Sequence, residues 1–150
     1  MVCLGNICRS PIAEGILRHK LNSLGVGEVI TDSAGTSSYH IGEAPDARMR
    51  KTAKDNGVNI DDLRARQFVV ADYDEFDLIY AMDSSNYNNM LKLARNADDE
   101  SKVKLILNEV NPGANEAVPD PYYGGDEGFQ QVYDLLDEAT DIILEKYVKR

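Results

Sequence analysis

The sequence is poor in the residues that build disulfide frameworks and membrane spans. Among its 150 residues are two cysteines, two histidines and no tryptophan. Two cysteines are too few for the framework of a small secreted domain and fit a reducing cytoplasm better. The longest apolar runs, such as residues 78–82, are far shorter than the roughly 20 residues that cross a bilayer. These absences predict a cytoplasmic protein that does not enter a membrane.

Basic residues are also scarce, with 16 Lys and Arg against 26 Asp and Glu and a net charge of −10. Such a field repels phosphate backbones, which excludes non-specific binding to DNA or RNA. No signal peptide is predicted, because Asn6 and Arg9 interrupt the amino terminus at once. The length fits the usual range of about 100–200 residues for one domain. We therefore expect residues 1–150 to form a single domain that acts as a monomer.

Short strand patterns alternate with longer helical ones along the chain. Strands are predicted at Val29–Ile30, Leu78–Tyr80 and Val103–Leu107, the last at a sheet edge because lysines flank it. Helices are predicted from Ser10 (an N-cap before Pro11) to Gly25, from Asp46 to Asn56, after an N-cap at Asp83, and from Phe129 to Tyr147. This alternation is typical of an α/β protein with a parallel sheet covered on both faces. Ligands of such folds bind beyond the carboxyl ends of the strands.

The loop from Cys3 to Ser10 is expected at that position. Cys3 and Arg9 stand six residues apart, and the chain between them can curl so that its N–H groups form an anion nest. Gly5 and Asn6 are residue types that tolerate the positive φ of such a curl. The following helix adds its positive end, and Arg9 adds a bidentate fork. The loop therefore predicts a binding site for a tetrahedral oxyanion such as phosphate.

The same surroundings suit a reactive thiol. A helix N-terminus and a nearby cation lower a thiol pKa from about 8.5 to about 3.5–7.5, which predicts a thiolate at Cys3. The Ser10 hydroxyl could donate to this thiolate and ease its departure as a leaving group. The alternative is that Cys3 is a small buried core residue. An arginine and a serine at these two offsets arise by chance roughly once in a hundred cases, which favours the reactive thiol.

Cleavage of a phosphate ester also needs a proton donor. His19 and His40 are the only histidines, and both are expected at the surface. Asp120 is the better candidate, because Pro121 stiffens its loop and Tyr122 and Tyr123 could shield the carboxyl from water and keep it protonated. An ordinary surface turn at Asp-Pro explains this segment equally well.

Taken together, these segments resemble the low-molecular-weight protein tyrosine phosphatases. The family signature Val-Cys-x-Gly-Asn-x-Cys-Arg-Ser-Pro is matched from Val2 to Pro11, and Asp-Pro-Tyr is matched from Asp120 to Tyr122. Residues 32–36, 65–67 and 82–86 also look like family segments. The resemblance spans nearly the whole chain. It implies a three-layer, flavodoxin-like domain of the phosphotyrosine phosphatase I type, with a four-stranded parallel sheet.

The resemblance also implies hydrolysis of protein phosphotyrosine through a cysteinyl-phosphate intermediate, without metal or other cofactor. Cys3 would be the nucleophile, Arg9 the phosphate clamp and Asp120 the general acid and base. The implied phosphate-binding and loop-holding residues are Leu4, Gly5, Asn6, Ile7, Cys8 and Ser10, supported by Ser33 and Asp83. Tyr39 and Tyr122 would form the aromatic walls of the substrate slot, and Cys8 is a candidate for a reversible disulfide with an oxidised Cys3.

Two positions depart from the family pattern. Only Met1 precedes Val2, where family members have a longer apolar strand, so we expect a truncated central strand and a groove between its neighbours. Leu63 stands where many members have a histidine, so the hydrogen-bond partner that this histidine gives Asn6 must be replaced or absent.

Two other functions stay open. Related folds reduce arsenate with the same thiolate loop, but that chemistry relays a disulfide through further cysteines, and none follows Cys8. A catalytically silent module that binds phosphate or phosphopeptides would also keep the loop, although it would not need both Cys3 and Asp120.

Overall fold

The computed structural model describes residues 1–122, 124–125 and 127–149. Four short strands form one parallel sheet in the order β2-β1-β3-β4. They are β1 (Val2–Cys3), β2 (Ala34–Gly35), β3 (Ile79–Ala81) and β4 (Val103–Leu105). The predicted α/β fold with a four-stranded parallel sheet is confirmed, and β4 lies at the edge as expected. Strand β1 is central, so the chain that leaves it at Cys3 emerges in the middle of the sheet.

In the part of the chain that the structure describes, six α-helices connect and cover the strands. They are α1 (Arg9–Ser23), α2 (Ala47–Asp55), α3 (Asp72–Glu75), α4 (Ser84–Leu91), α5 (Ala97–Lys102) and α6 (Glu127–Ile143). A 3-10 turn spans Ile106–Glu109, and a π-helical turn, Leu144–Val148, continues α6. The predicted start of α2 near Asp46 and the predicted N-cap of α4 at Asp83 are confirmed. Asp46 also caps its helix, accepting from Arg48 N, and Asp83 accepts from Asn86 N, both at 2.8 Å. Among the described residues, no helix has the length and apolarity needed to cross a membrane.

Both ends of α1 follow from local chemistry. The helix ends as predicted, because Gly25 takes a φ of +71° and the next N–H, of Val26, donates to Leu21 O at 3.0 Å. The predicted N-cap at Ser10 is wrong. The helix begins at Arg9, with Cys8 in the cap position, and the Ser10 hydroxyl contacts the Cys3 sulfur instead.

Successive side chains of each strand point to opposite faces of the sheet, and an apolar core forms on each face. Cys3 and Tyr80 pack with buried residues of α1, α2 and α6. Val2, Ile79 and Ala81 face the other way and pack with residues of α3 and α4. Each large apolar side chain that is fully buried stabilises the fold by about 1.5–3 kcal/mol. The two cores therefore hold the loop after β1 between two packed layers.

The strand predicted at Val29–Ile30 is wrong. Strand pairing begins only at Ala34, opposite Val2, and the Ile30 side chain is 81% exposed. Residues 29–31 lie beyond Met1, where no described strand neighbours them. A groove of about 800 Å³ lies there, between residues 28–34 and 75–80, with Leu17 and Tyr147 at its base.

Candidate active site

The loop between β1 and α1 curls back onto its own sulfur. Asn6 takes a φ of +58°, as predicted, and its backbone N–H donates to Cys3 Sγ at 3.3 Å. The positive φ predicted for Gly5 is wrong, because Gly5 is not among the residues in that region. Glycine at this position instead leaves room for the His40 ring, since a Cβ at Gly5 would lie 2.9 Å from His40 Cδ2. Leu4, Gly5, Ile7 and Cys8 complete the curl between Cys3 and Arg9.

Gly35 is a site residue that sequence reasoning missed. A Cβ at Gly35 would lie 2.7 Å from Leu4 O and 3.1 Å from Asn6 N, which are backbone atoms of the loop. The chain after Gly35 also binds the loop, since Thr36 N donates to Cys3 O and Ser37 N to Leu4 O, both at 2.9 Å. The sequence marked residues 32–36 only as a segment that resembles the family. Its role depends on a close approach of two backbones that no local pattern reveals.

The Asn6 side chain is hydrogen-bonded to two serines, Ser10 and Ser33. Asn6 Nδ2 donates to Ser10 Oγ at 2.8 Å and to Ser33 Oγ at 2.9 Å, and Ser10 Oγ lies 3.0 Å from Cys3 Sγ. Asn6 Oδ1 accepts from the backbone N–H of Arg66 at 3.0 Å. This N–H is thus a hydrogen-bond partner of Asn6 in a chain that has Leu63 at the position of the family histidine, and Leu63 itself packs against the core. Ser33 and Ser10 therefore hold the loop as the resemblance implied.

Arg9 is buried, and protein acceptors hold one side of its guanidinium. Its side chain is 4% exposed, and Nη1 donates to Asp83 Oδ2 at 2.7 Å and to Val118 O at 3.0 Å. Asp83 also caps α4, so its carboxylate has a fixed position. These contacts fix the plane of the guanidinium, which favours bidentate binding of an oxyanion.

Asp120 reaches the same place from a distant part of the chain. Its Oδ2 lies 3.7 Å from Arg9 Nη2, and its Oδ1 accepts from Tyr122 N at 3.1 Å. The Asp120 side chain is 37% exposed. The expected shielding of this carboxyl by Tyr122 is therefore wrong, and Tyr123 lies outside the described residues.

Arg48 binds the loop that carries Asp120 through contacts with Tyr122, and the sequence did not indicate this role. Arg48 Nη2 donates to Tyr122 O at 3.0 Å, and its guanidinium carbon lies 5.6 Å from the centroid of the Tyr122 ring. The same carbon lies 4.7 Å from the Phe129 ring of α6, and Asp46 pairs with the guanidinium at 3.0 Å. The position of Asp120 thus depends on α2 and α6.

The aromatic walls of the slot differ in their surroundings. Tyr122 is half-buried, and its ring centroid lies 6.2 Å from that of His40, which in turn contacts Glu43 at 2.6 Å. The Tyr39 side chain is 82% exposed. His40 therefore stands beside Tyr122 at the mouth of the loop, and the role predicted for Tyr39 stays a prediction. His19 is exposed on α1, as expected.

The second cysteine is a buried thiol. Cys3 and Cys8 are both free, and burial raises the pKa of the Cys8 thiol well above its usual range. Cys8 is therefore protonated at neutral pH. Within the described ranges, no three His, Cys, Asp or Glu side chains are grouped so that they could hold a metal ion.

A free thiol and an arginine thus lie at the two ends of one curled loop at the carboxyl end of a parallel sheet, and an aspartate lies beside the arginine. The sequence profile described as low molecular weight phosphotyrosine protein phosphatase matches residues 1–150. A Synechocystis protein assigned to the low molecular weight protein-tyrosine-phosphatases is 48% identical over 144 residues, which are 95% of this chain and 91% of the relative.

Solved structures agree with this match. A protein tyrosine phosphatase from Entamoeba histolytica superposes with a TM-score of 0.91 at 39% identity, covering 99% of this chain and 94% of the other. A Drosophila arginine phosphatase gives a TM-score of 0.90 at 31% identity, covering 98% and 95%. The chain belongs to the low molecular weight phosphotyrosine protein phosphatase family. It is an enzyme, a metal-independent protein-tyrosine-phosphatase.

Proposed function

We propose that the protein hydrolyses phosphotyrosine in proteins, and small aryl phosphates, through a cysteinyl-phosphate intermediate. The observation that carries the proposal is the position of the Cys3 sulfur. It accepts from Asn6 N–H and contacts Ser10 Oγ on the one loop that also places Arg9, with Asp120 beside the Arg9 guanidinium. A nucleophile, a cationic clamp and a proton donor are thereby gathered at one point.

In the first step the Cys3 thiolate attacks phosphorus, so that a P–S bond forms and the P–O bond to the phenol breaks. The carboxyl proton of Asp120 goes to the departing phenolic oxygen. Arg9 binds phosphoryl oxygens through the part of its guanidinium that faces away from Asp83 and Val118. The loop N–H groups of residues 4–8 stabilise the remaining negative charge.

In the second step Asp120, now a carboxylate, takes a proton from water. The oxygen of this water attacks phosphorus, and the P–S bond breaks. The departing thiolate receives the Ser10 hydroxyl hydrogen bond at the 3.0 Å contact seen here. Inorganic phosphate leaves, and the enzyme returns to its starting state.

Tyr122, His40 and Tyr39 are the proposed walls of a slot for the phenyl ring of the substrate. A slot of this depth disfavours phosphoserine, because its short side chain cannot carry phosphate to Cys3. The partners are therefore proteins that contain phosphotyrosine. Since a similar structure is an arginine phosphatase by name, phosphoarginine belongs among the substrates to be compared.

We place this activity in a monomeric, cytoplasmic enzyme, which the two free cysteines support. Cys8 is a proposed redox partner of Cys3. Peroxide would oxidise Cys3 to a sulfenic acid, and the Cys8 thiol would condense with it, releasing water and forming a disulfide. Because a thiolate is the attacking form, the buried and protonated Cys8 would make this step slow.

The test is hydrolysis of p-nitrophenyl phosphate with a chelator present, alongside peptides that carry phosphotyrosine, phosphoserine or phosphoarginine. We expect turnover of the aryl phosphate and the phosphotyrosine peptide, inhibition by vanadate and no activity in Cys3→Ser. Phosphate binding without turnover in the wild type would instead support the silent binding module. Consumption of arsenate at the expense of an added thiol would support the reductase.

A further inference from the structure

Helix α1 carries a buried carboxyl group that the proposed reaction does not use. Glu14 is 6% exposed, and its Oε1 accepts from Ser33 Oγ at 2.7 Å. Burial raises the pKa of Glu14, and the charged groups that face it are Asp32, the Met1 ammonium and Arg18. Both cations have other contacts, since the ammonium donates to Asp32 O and Arg18 donates to Asp62. Ser33 is thus the hydrogen-bond partner that Glu14 has in this core.

The hydrogen atoms of this buried group can be placed one by one. Arg66 N–H donates to Asn6 Oδ1, so the amide nitrogen of Asn6 faces the two serines and gives one hydrogen to each. Each serine oxygen accepts that hydrogen, and its own proton must point elsewhere. The Ser33 proton points to Glu14. The Ser10 proton has two acceptors within reach, Cys3 Sγ at 3.0 Å and Ala34 O at 3.4 Å, and a thiolate at Cys3, which only accepts, draws it to the sulfur. The chain of donors therefore runs outward from Asn6 to two anions, the thiolate and the carboxylate.

The direction of these hydrogen bonds depends on the acceptor at each end of the chain, the Cys3 sulfur and the Glu14 carboxylate. A carboxylate only accepts, so Glu14 keeps the Ser33 proton away from Asn6 and leaves the Ser33 lone pair to the amide. Without an acceptor at position 14, the buried Ser33 proton would lack a partner, and an unpaired buried polar group costs about 1–3 kcal/mol. Rotation of the hydroxyl toward Asn6 Nδ2 would relieve this cost at the expense of the bond between the two residues. The Asn6 amide would then lose one of the contacts that aim it at Ser10.

We propose that Glu14 is a positioning residue for the nucleophile. Its carboxylate binds the Ser33 proton, Ser33 holds the Asn6 amide, and Asn6 holds Ser10 so that the Ser10 proton points at Cys3 Sγ. The inference rests on the proposed role of Cys3. It adds a buried anion on α1 to the residues that set the reactivity of the thiol.

Glu14→Met, Glu14→Gln and Leu17→Ala test this arrangement. Methionine fills the site without a strong acceptor, glutamine keeps an acceptor oxygen, and Leu17→Ala weakens the apolar core of the same helix without touching the chain of donors. The readouts are the rate of iodoacetate inactivation against pH, which reports the thiolate of Cys3, and kcat and KM for p-nitrophenyl phosphate.

In Glu14→Met we expect the midpoint pH of inactivation to rise by about half a unit to one unit, because Ser10 stabilises the thiolate less well. We expect kcat to fall about 5- to 20-fold with KM changed less than about threefold. Glu14→Gln should stay within about 0.3 pH unit of wild type, and Leu17→Ala should lower stability without moving the midpoint. If Glu14 acted only as a nearby negative charge, Glu14→Met and Glu14→Gln would both lower the midpoint, which would overturn the proposal.

A double-mutant cycle that combines Glu14→Met with Ser33→Ala tests whether Glu14 acts through Ser33. If Glu14 acts through Ser33, then Ser33→Ala raises the midpoint by itself, and Glu14→Met adds nothing to it. Additive shifts would overturn the proposal. An unchanged midpoint in Ser33→Ala would also overturn it, and this result does not require Glu14→Met to fold. A wild-type Cys3 that does not react with iodoacetate would contradict the proposed function, whereas a reactive Cys3 that is indifferent to Glu14→Met would contradict only this inference.

Discussion

At its carboxyl end, strand β1 enters a loop that is hydrogen-bonded to several neighbouring segments. At its amino end, the same strand borders a groove of about 800 Å³. The loop is bound by Gly35, Arg66 and Ser33, whereas residues 29–31 beside the groove have no strand partner and leave Ile30 exposed. The difference teaches that the two ends of β1 are held by different numbers of neighbours. The geometry of the site is held by hydrogen bonds and close backbone contacts around the loop itself.

The largest effect is expected at the rim of the loop. Asp120→Asn should slow hydrolysis of an aryl phosphate by about 10²–10⁴-fold, because the amide cannot protonate the leaving oxygen, while phosphate binding survives. Steady-state kinetics and calorimetric titration with phosphate measure the two properties. Asp98→Asn, on an exposed position of α5, is the matched control and should match wild type. Unchanged turnover in Asp120→Asn would mean that another group supplies the proton.

The second prediction separates two glycines, one in each region. Gly35→Ala would place a Cβ 2.7 Å from Leu4 O, so the loop must shift. A misplacement of this kind can cost on the order of 10²-fold in rate, and we expect a loss of about 10- to 100-fold in kcat. Gly27→Ala has open space around it and should leave kcat unchanged. Equal activities of the two variants would show that the loop tolerates displacement, and would contradict the claim that close backbone contacts hold its geometry.

The third prediction concerns stability and pH. Because burial raises the pKa of Glu14 above 4.5, the folded protein holds this proton more tightly than the unfolded chain does. The contribution of Glu14 to the free energy of unfolding is therefore present at low pH and is lost as pH rises through the raised pKa. Glu14→Gln should remove this loss, so the variant gains on wild type as the pH rises above about 4.5 and through the raised pKa.

Denaturant unfolding at several pH values measures this gain, with Glu28→Gln as an exposed control. Parallel stability curves for wild type and Glu14→Gln would contradict the raised pKa.

The smallest effect is expected beside the groove. Ile30→Ser replaces a side chain that is 81% exposed, so the free energy of unfolding should change by no more than about 0.5 kcal/mol and kcat should not change. Thermal unfolding and the same phosphatase assay check both values. A fall of kcat in Ile30→Ser would show that the groove end of β1 does influence the loop.

Much of this molecule could be predicted from its sequence because the signals are local. The helix start near Asp46, the cap at Asp83 and the helix end at Gly25 each depend on residues that are close in sequence, and the structure confirms them. The spacing of Cys3 and Arg9 predicted a shared loop for the same reason.

The failures involve partners that are distant in sequence. Val29 and Ile30 are good strand formers, but a strand also needs a neighbour, and none lies beside them. Serine is a good N-cap residue, but the Ser10 hydroxyl contacts the Cys3 sulfur instead of a backbone N–H of α1. Gly35 and Glu14 act through contacts with residues that a single sequence cannot bring together.

The most direct test of the central claim is to trap the phosphoryl group on the enzyme. We would mix Asp120→Asn with a phosphotyrosine peptide, quench within the first turnover and map the adduct by mass spectrometry. The account predicts one added phosphoryl group on the peptide that contains Cys3, and none when Cys3→Ser is combined with Asp120→Asn. A phosphoryl group on another residue, or turnover without any adduct at Cys3 under conditions where it should accumulate, would contradict it.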